Sequence, residues 1–108
     1  DKEQLQAFRK ISDVHFNCID RGGTFREFVP HGYSKATGIQ FVLDHYNLSK
    51  EDAYAFGDSN NDLAMFEYAA TKVAMGNASP KIKELADYVT SDMFHYGIRD
   101  GLKYLKLI

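Results

Sequence analysis

The chain has 108 residues, enough for one domain with a single modest hydrophobic core. Its 44% hydrophobic and 26% charged residues are ordinary for a globular protein. The formal net charge of -2, with no dense basic run, argues against nucleic-acid or anionic-membrane binding.

Cys18 is the only cysteine, so an intrachain disulfide is excluded. The charged start "DKEQLQAFRK" lacks a signal-peptide core, and no apolar run approaches the roughly 18 residues of a membrane span. These features fit a reducing, cytoplasmic compartment. The sequence opens at Asp1 directly in helix-like residues, which points to a piece of something longer.

In chain order, Leu5, Phe8 and Ile11 recur three apart and predict a short amphipathic helix over residues 3–12. From Val14 the apolar period changes to two, through Phe16 and Cys18. It resumes after "DRGGT" through Phe25, Glu27 and Val29, so two strands joined by a Gly-Gly turn are expected, ended by Pro30 and Gly32. Ser34 predicts the cap of a helix with Ile39, Val42, Leu43 and Tyr46 on its apolar side. Ser49 and Asp52 resemble a capping box. "AYAF" (53–56), "KVAM" (72–75) and "DYVT" (87–90) read as short strands. Between them lie helices opened by Asn60 or Asn61 and by Ser79-Pro80, and a last helix runs over 97–107. Strands alternating with helices from residue 34 predict an α/β fold: a parallel sheet flanked by helices, preceded by a helix and a hairpin.

The chemistry concentrates in "YAFGDSNNDLAMF", residues 54–66. A parallel sheet binds ligands beyond the carboxyl ends of its strands, and Asp58 lies just past such an end. Asn61 and Asp62 lie on the opening turn of the next helix. Oxygen ligands of this kind suit Mg²⁺, which is usually held by one or two carboxylates together with a phosphate. Asp and Asn also cap helices and form turns, so "SNND" alone could be structural. Gly-Asp followed by Asn-Asp after a buried strand favours function. An EF-hand calcium loop is rejected, because Leu63 stands where Gly is needed and Ala69 where Glu is needed. Lys35 opens a helix against the dipole preference for cations at the other end, as expected if its ammonium serves the same corner. The four histidines share no metal-ligand spacing. Phe66 and Tyr68, and Phe94 and Tyr96, read as core and rim packing.

The run "GDSNNDLAMFEYAATKVAMGNASPKIKELADYVT" closely resembles the last conserved block of haloacid dehalogenase-like hydrolases, more narrowly the Cof-type sugar-phosphate phosphatases. "PHGYSKATGIQFVL" is similar to the lysine motif of that family, with Ala36 in place of the usual Gly. The resemblance covers roughly residues 25–108. It implies a Rossmann-like core, Mg²⁺ as cofactor and a small phosphorylated metabolite as substrate. Asp58 matches the Mg²⁺-binding aspartate and Asp62 the neighbouring acid that supports the metal shell. Asn61 matches the phosphate contact, and Lys35 the lysine that steadies nucleophile and phosphoryl group.

The family also needs a nucleophilic aspartate, with an acid-base aspartate two residues on, from an Asp-x-Asp-Gly-Thr motif near its N-terminus. "DRGGT" offers Asp20 but puts Gly22 at the acid-base position; only 14 residues separate Asp20 from Lys35, and the stretch reads as a hairpin turn. Residues 1–30 are therefore expected to be the end of a cap domain, and 31–108 the C-terminal half of the catalytic core. The strand ending at Gly57 should then have an open edge, covered by the 14–30 hairpin or by another copy of the chain. Three functions stay open: the metal-binding half of a phosphatase, inactive alone; a non-catalytic Mg²⁺ or phosphate-binding module; or a structural truncation product.

Overall fold

A computed structural model describes residues 1–108. Helix α1 (Lys2–Ser12) starts at Asp1, whose carboxylate accepts from Gln4 N at 2.8 Å while the Gln4 side chain accepts from the Asp1 amino group at 3.0 Å. This reciprocal pair satisfies donors that a helix start otherwise leaves open. Strands β1 (Phe16–Asp20) and β2 (Arg26–Pro30) form an antiparallel hairpin, with Cys18 opposite Phe28 and Asp20 opposite Arg26. The hairpin turns through residues 21–25 rather than a bare Gly-Gly pair. Gly22 and Gly23 take φ of 96° and 56°, where a side chain would be strained, and the Asp20 carboxylate accepts from Gly22 N at 2.8 Å. Phe8 of α1 meets Phe28 edge-to-face at 5.2 Å.

Helix α2 (Lys35–Tyr46) is capped by Ser34, whose hydroxyl accepts from Thr37 N at 3.2 Å, and it ends at Asn47 in the left-handed region. Ser49 and Asp52 cap a 3-10 turn, Lys50–Asp52. Strands β3 (Tyr54–Gly57), β4 (Thr71–Ala74) and β5 (Tyr88–Val89) then build a parallel sheet in the order β3-β4-β5. The first crossover is a 3-10 turn, Asn60–Asp62, continuing into α3 (Leu63–Tyr68); the second is α4 (Pro80–Leu85). After β5 come a 3-10 turn at Met93–His95 and α5 (Gly97–Tyr104), which stops short of the expected residue 107.

Both sheet faces are covered. Ala55 and Ala74 on one face join Phe66, Ala69, Met75, Ala78 and Ile82 in a single cluster beneath α3 and α4. On the other face Phe56 and Val73 meet α5 at Gly101, where an added Cβ would come within 2.5 Å of the Phe56 ring. Tyr104 of α5 stacks on Tyr88 at 3.7 Å.

Two expectations need correction. The hairpin does not cover the edge of β3: β1 and β2 pair only with each other, and the hairpin rests on the Asn60–Asp62 turn instead. The outer edge of β3 faces a largely apolar groove walled by Ile39, Val42 and Leu43 of α2, Met65 of α3 and Ala69 just past its end. Phe94 is not packed, and Tyr96 keeps only the Arg99 guanidinium over its ring at 4.5 Å. They are 81% and 67% exposed, because the Met93–His95 turn and the left-handed Tyr96 swing them outward. No helix is long and apolar enough to cross a membrane.

Candidate active site

The carboxyl end of β3 is built around Gly57 and Asp62. Asp62 folds back over the strand end, so one carboxylate oxygen accepts from Asp58 N at 2.9 Å and Ser59 N at 3.3 Å. Gly57 permits this approach: a Cβ there would lie 2.5 Å from the Phe66 ring and 3.0 Å from Asp62 Cβ. The other Asp62 oxygen accepts from Lys35 Nζ, at the first position of α2, 27 residues earlier in the chain. Asp62 is only 4% exposed. Burial alone pushes its carboxyl up. The Lys35 hydrogen bond, the two backbone N–H groups and the Lys35 charge outweigh it, so the group titrates below the usual carboxylate range.

Asn61 lies beside this pair. Lysine and arginine side chains only donate, so the Asn61 atom facing them is its oxygen; it accepts from Lys35 Nζ at 3.3 Å and from Arg21 Nη1 at 2.6 Å, while the amide nitrogen faces Ser59 Oγ. The loop is tied to the start of α4, where Ser79 N donates to the Asp58 carbonyl at 2.9 Å and Ser79 Oγ donates to Asn60 at 3.3 Å. The Asp58 carboxylate differs from its neighbours. It is exposed and makes no hydrogen bond or ion pair with the protein.

All four residues singled out by the sequence thus meet at one corner: Lys35, Asp58, Asn61 and Asp62. Asp62 is the organiser, Lys35 and Asn61 are polar groups at the surface of the corner, and Asp58 presents a carboxylate without a protein partner. No three His, Cys, Asp or Glu side chains come together as a complete metal cage. The open Asp58 carboxylate fits Mg²⁺, which commonly takes one or two protein carboxylates and fills its remaining positions with water and phosphate oxygens. Asp20 stays in the hairpin loop, bonded to Gly22 N and paired with Arg26 at 3.0 Å. The histidines are dispersed: His31 bridges Asn17 and the Asp13 carbonyl, and His95 pairs with Asp92.

Arg21 and Glu27 were not visible as site residues in the sequence. Arg21 Nη1 donates to Glu27 at 2.7 Å as well as to Asn61, so the hairpin tip touches the core at this corner. The contact joins residues 40 positions apart in the chain, from two separate sheets, and no local spacing signals it.

A haloacid dehalogenase-like hydrolase profile matches residues 1–102. The chain is 49% identical over 82 residues to YkrA of Bacillus subtilis (strain 168), spanning 76% of this chain and 32% of that protein. It is 36% identical over 108 aligned residues to the 5-amino-6-(5-phospho-D-ribitylamino)uracil phosphatase YitU of the same organism, spanning 94% of this chain and 40% of that one. The crystal structure of the subclass IIB sugar phosphatase BT4131 superposes with a TM-score of 0.86 at 30% identity, covering 99% of this chain and 41% of that chain. The chain thus spans 32–41% of the length of these relatives. Family profile, relatives and shared fold agree with the geometry at the end of β3, and the chain belongs to the haloacid dehalogenase-like hydrolases.

Proposed function

We propose that this chain supplies the metal- and phosphate-binding part of a Mg²⁺-dependent phosphatase acting on small phosphorylated metabolites of the sugar-phosphate type. Residues 1–30 are the end of its cap, and residues 31–108 are the C-terminal half of its catalytic core. Asp58 holds Mg²⁺ directly, and Asp62 fixes the loop that presents it. Lys35 and Asn61 receive the transferring phosphoryl group. When bound, Mg²⁺ neutralises phosphoryl oxygen charge and orients the group for in-line attack. What supports this most is the ion pair between Lys35 and the buried Asp62, which sets a cation beside the open Asp58 at the carboxyl end of a parallel strand.

The nucleophile comes from outside these elements. In the family's chemistry an aspartate oxygen bonds to phosphorus as the bond to the leaving oxygen breaks. Water then hydrolyses the aspartyl-phosphate and releases inorganic phosphate. Asp20 is engaged in its own loop, whereas the free edge of β3 is where a strand carrying the nucleophile would pair. The chain alone is therefore inactive.

An aryl-phosphate assay with Mg²⁺ tests this. The 108-residue chain should show no turnover. Addition of a strand carrying Asp-x-Asp-Gly-Thr should give turnover that Asp58→Asn abolishes. Turnover by the chain alone that Asp20→Asn removes would overturn the assignment. Phosphate and Mg²⁺ binding that persists while the added strand restores nothing would favour a non-catalytic binding module.

A further inference from the structure

The hairpin tip carries a second cation to the same corner. Arg21 Nη1 and Lys35 Nζ both lie within hydrogen-bond reach of one Asn61 oxygen, at 2.6 and 3.3 Å. Each is balanced by one carboxylate, Glu27 for Arg21 and Asp62 for Lys35. Only Nη1 of the Arg21 side chain is used within the protein; its Nε and Nη2 hydrogens meet no protein acceptor, and the side chain is 28% exposed. A cavity of about 330 Å³ opens between hairpin and core, with Ile19, Glu27, Val29, Tyr33, Lys35 and Asn61 in its wall. It gives an anionic ligand room beside Lys35 and Asn61; Arg21 is not itself in that wall and reaches the corner through its bonds to Asn61 and Glu27.

A guanidinium fork with unused donors, next to an ammonium and an amide, matches the several oxygens of a phosphate better than it matches a single amide oxygen. The geometry points to Arg21 as a second phosphate-contacting residue, which shares the phosphate of a small ligand with Lys35 and Asn61 and so ties the hairpin to the occupied site. This rests on the phosphate-binding role proposed for the corner. Bound phosphate takes the place of the Asn61 oxygen as acceptor for both cations, while Glu27 keeps the guanidinium in position. The hairpin then discriminates at the site as well as covering it: a phosphate engages both cations, and a neutral ligand engages neither.

NMR titration of the 108-residue chain with inorganic phosphate tests the assignment, with Arg21→Gln, Arg21→Lys and Lys35→Gln in parallel. Arg21→Gln should weaken phosphate binding by roughly ten- to a hundredfold, the range for losing a charge-assisted hydrogen bond. Arg21→Lys should recover part of that loss, because the charge remains and the planar fork does not. The Gly22 and Phe25 amide signals should respond to phosphate in the unaltered chain and stay still in Arg21→Gln. If Arg21→Gln binds phosphate as tightly as the unaltered chain while Lys35→Gln does not, the role of Arg21 is wrong and the phosphate corner stands. If phosphate binds to none of the four proteins, both fall.

Discussion

The α/β unit that starts at β3 and the helix-plus-hairpin that precedes α2 are built from equally regular elements, yet they are packed to different depths. Phe66, Val73 and Ile82 are fully buried in the first. In the second, Phe8 is 53% and Ile11 75% exposed, and Ser12 Oγ is buried without a partner. The hairpin holds by its own ladder, with the Phe8–Phe28 contact and salt bridges at its tip. The α/β unit holds by filling both faces of a sheet. Local hydrogen bonding and the burial of apolar surface are therefore separable here, and only the second region has both.

Truncation of one phenylalanine in each region should show the contrast at its largest. Phe66→Ala empties a fully enclosed site and should cost about 3–5 kcal/mol, the range for large aromatic deletions in cores. Phe8→Ala removes a half-exposed ring with one edge-to-face partner and should cost about 1 kcal/mol. Urea midpoints of the two variants measure the difference. Equal losses would mean that the N-terminal region is as tightly packed as the sheet, and the comparison would fail.

What could be read from the sequence follows the same divide. Every helix and strand was visible from its period and caps, because Ser34, Ser49 and Ser79-Pro80 act within a few residues of themselves. The corner residues were visible for a similar reason: Asp58, Asn61 and Asp62 fall on one turn, and Lys35 stands out against the helix dipole. Contacts between regions were not visible. Nothing local to Arg21 indicates that it reaches Asn61, and alternation in β1 and β2 does not say whether the hairpin joins the sheet edge or rests on a turn. Phe94 was misplaced because an apolar pair gives no sign that the turn between its members swings one of them into solvent.

Asp62 ties α2 to the end of β3 at the corner, and its ionisation gives a second contrast. Asp62→Asn keeps the volume and removes the charge that receives Lys35 and two backbone donors, so a loss of about 1–3 kcal/mol is expected near neutral pH. The folded state holds this carboxyl below its ordinary value of 3.8, so its stabilisation is present above that value and is lost as pH falls through the depressed one. The gap between the unaltered chain and Asp62→Asn should therefore be full at pH 7 and close in acid. A gap that widened on acidification would mean that the carboxylate is not stabilised by its partners.

The α5 face of the sheet offers a test by addition rather than removal. Gly101→Ala would set a Cβ 2.5 Å from Phe56 Cε1 and 3.3 Å from Val73 Cγ1, so α5 must move off the sheet or Phe56 must turn. Overpacking of this kind costs about 1–3 kcal/mol, from which the better helix propensity of alanine recovers only part. A neutral effect on the thermal midpoint would show that α5 sits more loosely than the Tyr88–Tyr104 stack implies.

Gly38 is the counterpart, with nothing within 4 Å of an added Cβ. It is the fourth residue of α2, inside the helix, where glycine is unfavourable by about 0.5–1 kcal/mol relative to alanine, so Gly38→Ala should stabilise the isolated chain by up to that amount. Gly38 also lines the groove beside the free edge of β3, so the same methyl group projects into the space that a seated strand or second copy would fill. A chain that associates through this edge should gain stability and lose association in one substitution, read as a higher thermal midpoint together with a weaker dimer in sedimentation. If Gly38→Ala raised the midpoint and left association unchanged, self-association would have to use a surface other than the edge of β3. The two readouts separate the helix, which needs only itself, from the edge, which is complete only with a partner.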